Sequence, residues 1–150
     1  MITANPTECP YYLVSRVTLA ITMSMKKALA RAKVKNIRPA YLGVLMSLWK
    51  EDGLKVVDLG KKAGLEPSTM TGLLDRMERD GLLRRAADPK DRRALRIYLT
   101  EKALDSQESV MKVVNKVLDK MFENISDEDI ETTTNVLMKV LENSPKEIIN

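Results

Sequence analysis

The chain has 150 residues and a net charge of +4, with 44% hydrophobic and 31% charged residues and only six Gly and six Pro, so neither a disordered nor a collagen-like chain fits. That length predicts one domain, able to bury roughly 68–70% of the surface its unfolded form exposes. His is absent and Cys occurs once, which removes His-based acid/base chemistry, Ser/His/Asp and Cys/His nucleophile systems and multi-Cys or His-rich zinc sites, so no enzyme, metal or cofactor is expected.

The N-terminal stretch MITANPTECPYY has no basic segment followed by an apolar one, as a signal peptide would. The longest mainly apolar run, Tyr41 to Trp49, falls far short of the roughly 18–20 residues of a membrane span. One Cys cannot close an intramolecular disulfide, and a cytoplasmic protein without membrane association is expected. Leu13, Val17, Ala20, Ile21, Ala28, Leu29 and Ala32 recur at helical spacing and predict a long amphipathic helix over residues 11–33, ending before Pro39. Lys26, Lys27, Arg31, Lys33 and Lys35, on that helix and its exit, read as a solvated face, with phosphate contact as the competing use.

Tyr41, Leu42, Val44, Leu45, Leu48 and Trp49 mark a second, more buried helix that stops near Asp52-Gly53. Two short helices follow, Val57 to Ala63 and Pro67 to Asp80, broken at Gly64-Leu65 and closed by Gly81. The fixed φ of Pro67 suits a first helical turn. Leu73, Leu74 and Met77 are expected to face Leu59, Ala63 and Leu65. Beyond Gly81 the period changes to two, with Leu95, Ile97 and Leu99 alternating with Arg96 and Tyr98, which predicts a β-hairpin. Asp88 and Pro89 are favoured at the first two positions of a type I turn, placing the tip at the most charged point. Residues 84–96 hold six basic and two acidic side chains, whereas residues 97–150 hold six basic and eleven acidic. Such a local basic patch suits a polyanion.

After Thr100 the helical period returns, with Val110, Val113, Val114, Val117, Leu118, Met121, Phe122 and Ile125 in one stripe. Ser126-Asp127-Glu128-Asp129 then resembles a capping box with Asp in its last place, opening a final helix to about Glu142. The terminal helices lie too far in sequence from the central helix-turn-helix to be its core, so the 110–125 stripe is expected to meet a second protomer. The fold class is thus mainly α with a small β-hairpin wing. A winged helix-turn-helix over about 41–100 is framed by dimerisation helices 11–33 and 101–143 in a single domain.

On B-DNA this arrangement has a direct reading: one helix enters the major groove and the hairpin tip reaches the flanking minor groove. The helix from Pro67 is the expected reader, because Ser68, Thr69 and Thr71 set short hydroxyls on its first turns and its N-terminal amides attract phosphate. For Ser68 and the threonines, N-capping is the competing use.

The stretches GLEPSTMTGLLDRMERDGLLRR and ADPKDRRALRIYLTEKA resemble the recognition helix, the Asp-x-Arg wing and the following Leu-Thr of the MarR (multiple antibiotic resistance regulator) family of bacterial transcription factors. The resemblance is strongest over 41–104. It implies a two-fold dimer, a near-palindromic operator, and release, in a repressor, when a small-molecule effector or oxidant acts near the junction of the two parts. Carried over, Arg93 is the minor-groove arginine and Asp91 its brace, while Lys90 stands beside them at the tip and Arg92, Arg84, Arg85 and Arg96 meet phosphate. Many members carry Arg where this chain has Gly72, so base reading falls to Thr69, Thr71, Asp75 and Arg76. Met23, Met25, Met46, Met111 and Met121 read as core, with an adaptable effector pocket as the competing use. Cys9 reads as structural. A peroxide-sensing thiol at Cys9 and a winged helix that serves only protein interaction are the alternatives.

Overall fold

The computed structural model describes residues 5–34 and 36–144; Lys35, placed above on a solvated face, lies outside them. The first helix, α1, spans Pro10–Arg31, with Cys9 in extended conformation at its N-cap and Pro10 in its first turn. Its 22 residues bury only Met25 and Leu29. A single 3-10 turn, Pro39–Tyr41, leads into α2, Leu42–Lys50.

Strand β1, Leu54–Lys55, comes next and is absent from the sequence expectation. Two residues carry no periodicity to detect. It pairs antiparallel with β3, Leu54 opposite Ile97, giving a three-stranded sheet in the order β1-β3-β2. Its presence changes the role of Gly53. The α2 helix ends at Lys50 with Glu51 extended, so Gly53 is not a helix cap but the entry to the strand, at φ +74°. A Cβ there would stand 2.8 Å from Cε1 of Tyr98, so both the backbone angle and the space demand glycine.

Helices α3, Val56–Ala63, and α4, Pro67–Arg79, flank Gly64, whose left-handed conformation (φ 68°) makes the tight turn. Leu59 from α3 and Met70, Leu73, Leu74 and Met77 from α4 are buried together with Val44, Leu45 and Leu48 of α2. Gly81 closes α4 at φ +74°. The hairpin follows as β2, Leu83–Ala87, and β3, Leu95–Leu99. Thr100 then caps α5, Glu101–Asp105, accepting from the Ala103 amide at 3.3 Å while its hydroxyl donates to the Gly81 carbonyl at 2.7 Å. One residue thereby ties the wing's exit to the end of α4.

Helix α6, Gln107–Met121, starts directly after α5, and here the expectation of a second protomer for the 110–125 stripe is corrected. Val110, Val114 and Val117 are buried in the same cluster as Met25 and Leu29 of α1, and that cluster is continuous with the winged core. Distance in sequence proved a poor guide because Trp49 donates its indole N–H to the Ala103 carbonyl at 3.1 Å, fixing the start of the C-terminal helices against α2. Ser126 caps α7, Asp127–Glu142, accepting from the Asp129 amide at 3.1 Å and donating to the Asp129 carboxylate at 2.7 Å. None of the residues of α7 is buried; Val136, Leu137, Met138, Val140 and Leu141 are exposed, as are Tyr11, Val14, Val17, Leu19 and Met23 of α1. Among the described residues, no helix is long and apolar enough to cross a membrane.

Candidate nucleic-acid interface

With Met70, Leu73, Leu74 and Met77 turned inward, helical geometry leaves Ser68, Thr69, Thr71, Asp75, Arg76, Glu78 and Arg79 exposed along α4. The N-cap is Glu66 and its side chain makes no capping bond, so Ser68 does not cap and the first-turn amides face outward. The Thr71 hydroxyl donates to the Pro67 carbonyl at 3.1 Å, which leaves its lone pairs free to accept. At Gly72 a Cβ would meet only Nη1 of Arg76, at 3.8 Å. Packing therefore does not require glycine there, and the Arg76 guanidinium lies beside the gap.

Neighbours in sequence, Arg84 and Arg85 take opposite faces of the sheet, as strand alternation dictates. Arg84 lies on the face of Tyr98, its partner across the strands, with the guanidinium carbon 4.7 Å from the ring centroid. Arg85 points toward α4, where Nη2 donates to Asp75 and Nη1 to Glu78, both at 2.6 Å. Two of the candidate contacts, Asp75 and Arg85, are thus engaged with each other. Glu78 was not singled out from the sequence; its signal was the three-residue spacing from Asp75, which puts both carboxylates on one helix face.

The tip departs from the expected type I turn. The Asp88 carboxylate, 3% exposed, accepts from the amides of Lys90 and Asp91 at 2.8 and 3.0 Å and from Nε of Arg96, while the backbone-bonded turn runs from Asp91 to Ala94 at 3.0 Å. The reason is non-local: Arg96, whose Nη1 also donates to the Gly53 carbonyl at 2.7 Å, draws the Asp88 side chain inward from eight residues away. Arg92 and Arg93 consequently occupy the centre of the outer turn, exposed together with Lys90 and Asp91. Asp91 braces Arg93 through its backbone amide, at 3.0 Å, rather than through the guanidinium.

The Lys90 amide, opposed by burial and reinforced by Arg96 and the Asp91 amide, holds the Asp88 carboxyl below the usual carboxylate range. A depressed folded-state value means that the unfolded chain binds the extra proton first. The stabilisation is therefore complete above about pH 4 and is lost as pH falls through the depressed value. Melting curves of the protein and of Asp88→Asn are expected to converge as pH drops below about 4; a constant gap would remove the carboxylate from this account.

Around Tyr41 a further link reaches α4. Its buried hydroxyl donates to the Asp80 carboxylate at 2.7 Å, and burial, with Asp80 adding to it, pushes the phenol pKa up. Arg38 stands 4.0 Å from the same carboxylate. Cys9 is half-buried at the N-cap of α1. Tyr11 and Tyr12 nearby in sequence are exposed.

A groove of about 790 Å³ runs between α1 and α6, lined by Ala28, Val113 and Val117 together with Lys27, Arg31, Lys116 and Lys120 and the carboxylates of Asp119 and Glu123. Of the five methionines considered for an effector pocket only Met121 lines it; Met25 is core, and Met23 and Met46 are exposed.

The family model described as MarR family matches residues 38–95. YfiV of Bacillus subtilis strain 168, named as an uncharacterized HTH-type transcriptional regulator, is 35% identical over 107 residues, 69% of this chain and 67% of that protein. The chain belongs to the MarR family. It is a transcriptional regulator of that family and not an enzyme. The HTH-type transcriptional regulator TtmR of Methylorubrum extorquens strain PA1 is 47% identical over 64 residues, 43% of this MarR chain but only 32% of TtmR. Among solved structures, the PcaV transcriptional regulator of Streptomyces coelicolor, in complex with its natural ligand, matches with a TM-score of 0.85 at 20% identity, over 97% of this chain and 100% of that one. The fold class read from the sequence, helices with a small winged sheet, is the MarR fold.

Proposed function

We propose that the protein is a homodimeric repressor that binds a near-palindromic operator and is released by a small molecule. One observation carries the DNA reading: the outward face of α4 and the wing adjoin, joined through Arg85 at Asp75 and Glu78, so that the exposed side of a helix and an arginine-tipped hairpin belong to one surface. The helix suits a major groove and the Arg92-Arg93 tip a minor groove, with Arg84 and Lys90 near phosphate. The single chain acts as one unit, α1, α6 and α7 forming the frame. The exposed apolar side chains of α1 and α7 support pairing of two copies, which sets two reading helices about one DNA turn apart. PcaV's ligand-bound state and the groove between α1 and α6, where Lys27, Arg31, Lys116 and Lys120 outnumber Asp119 and Glu123, support control by an anionic, partly apolar effector.

The test is a mobility shift with the DNA flanking the protein's own gene, alongside sedimentation of the free protein. The expected result is a dimer at micromolar concentration, a discrete shift on an inverted repeat, and a log affinity that falls with log salt by about 0.9 per neutralised phosphate. A monomer that shifts no DNA in moderate salt would favour the protein-interaction reading instead.

A further inference from the structure

We propose that Arg85 is a positioning residue for operator reading: it clamps the wing stem to the recognition helix through Asp75 and Glu78 and makes no contact with DNA itself. The proposal rests on the DNA-binding reading above. Arg85 leaves β2 on the side facing α4, and its guanidinium spans one helical turn, reaching Asp75 and Glu78 with separate nitrogens at 2.6 Å each. The Arg85 side chain is only 24% exposed, against 54% and 42% for the two carboxylates, so the cation sits behind them. A planar fork held at two points fixes an orientation that a single pair does not.

Two consequences follow for a surface that meets a polyanion. Helix and wing move as one body, so the angle between the major-groove and minor-groove elements is set before DNA arrives and costs no ordering on binding. The carboxylates of Asp75 and Glu78, exposed on the reading face, are also neutralised from behind, which lowers the repulsion they present to phosphate. Specificity is the more sensitive of the two. Random DNA needs only charge, whereas an operator needs the helix and the wing in register at once.

The experiment compares Arg85→Ala, Arg85→Lys and the double variant Asp75→Asn/Glu78→Gln, each checked for an unchanged melting temperature. Affinities for the operator and for random duplex are measured at one salt concentration, and amide exchange is followed across β2 and β3 in the free protein. Breaking the clamp from either side is expected to reduce the operator-to-random ratio about tenfold, within the range for coupled neighbours, and to speed exchange in the wing. Arg85→Lys should recover part of the ratio, since it keeps the charge and loses the fork. If Arg85 were instead a phosphate ligand, Asp75→Asn/Glu78→Gln would tighten operator and random DNA alike and leave exchange unchanged, and the proposal would fall. Failure of the unaltered protein to bind any operator would sink the DNA reading, while the exchange measurement still decides whether the clamp exists.

Discussion

Arg93→Ala is expected to weaken operator binding by roughly 1–3 kcal/mol per half-site, about 5- to 150-fold for each, with no change in melting temperature. Arg93 sits in the centre of the Asp91–Ala94 turn and is exposed. Deleting its side chain leaves the turn intact, because Asp91 holds its backbone amide and Asp88 holds those of Lys90 and Asp91. The loss should therefore be one of contact alone. A titration on operator and on random duplex separates two outcomes. A loss confined to the operator assigns the side chain to the groove; equal losses assign it to non-specific phosphate attraction. Unchanged affinity on both would remove the wing from the mechanism.

Leu74→Ala should cost roughly 2–5 kcal/mol of stability, a large share of the about 5–15 kcal/mol that holds a domain of this kind together. Leu74 is 1% exposed, in the cluster where α2, α3 and α4 meet. Its neighbour Asp75 belongs to the exposed face, so this leucine's packing sets the rotation of the helix about its own axis. Chemical denaturation with two probes measures the cost. A loss below about 1 kcal/mol would mean that the site collapses around the missing methyls and that the helix is held chiefly by its ends.

Where local chemistry decides, the fold was legible. Gly64 and Gly81 mark helix ends in the sequence, and both adopt the left-handed conformation that closes such turns. Helix phase separated Leu73, Leu74 and Met77 from the exposed edge of α4 without knowledge of any partner. Interactions between distant segments were not visible. The Asp88 side chain holds Arg96 as well as the local Lys90 and Asp91 amides, Gly53 serves a strand too short to show a period, and the stripe of α6 finds α1 inside the same chain. Charge alone makes Arg84 and Arg85 equivalent, whereas strand alternation sends them to opposite faces. The pairing of Arg85 with Glu78 required the contact itself.

With every side chain of α7 at least partly open to solvent, that helix draws no stability from a core of its own protomer. An isolated helix of such length is marginal in water. In the proposed dimer, ordering of α7 and assembly of two copies would be a single thermodynamic event, whose equilibrium depends on how much protein is present. Occupancy of a control site by such a dimer would then rise with protein concentration with an exponent above one.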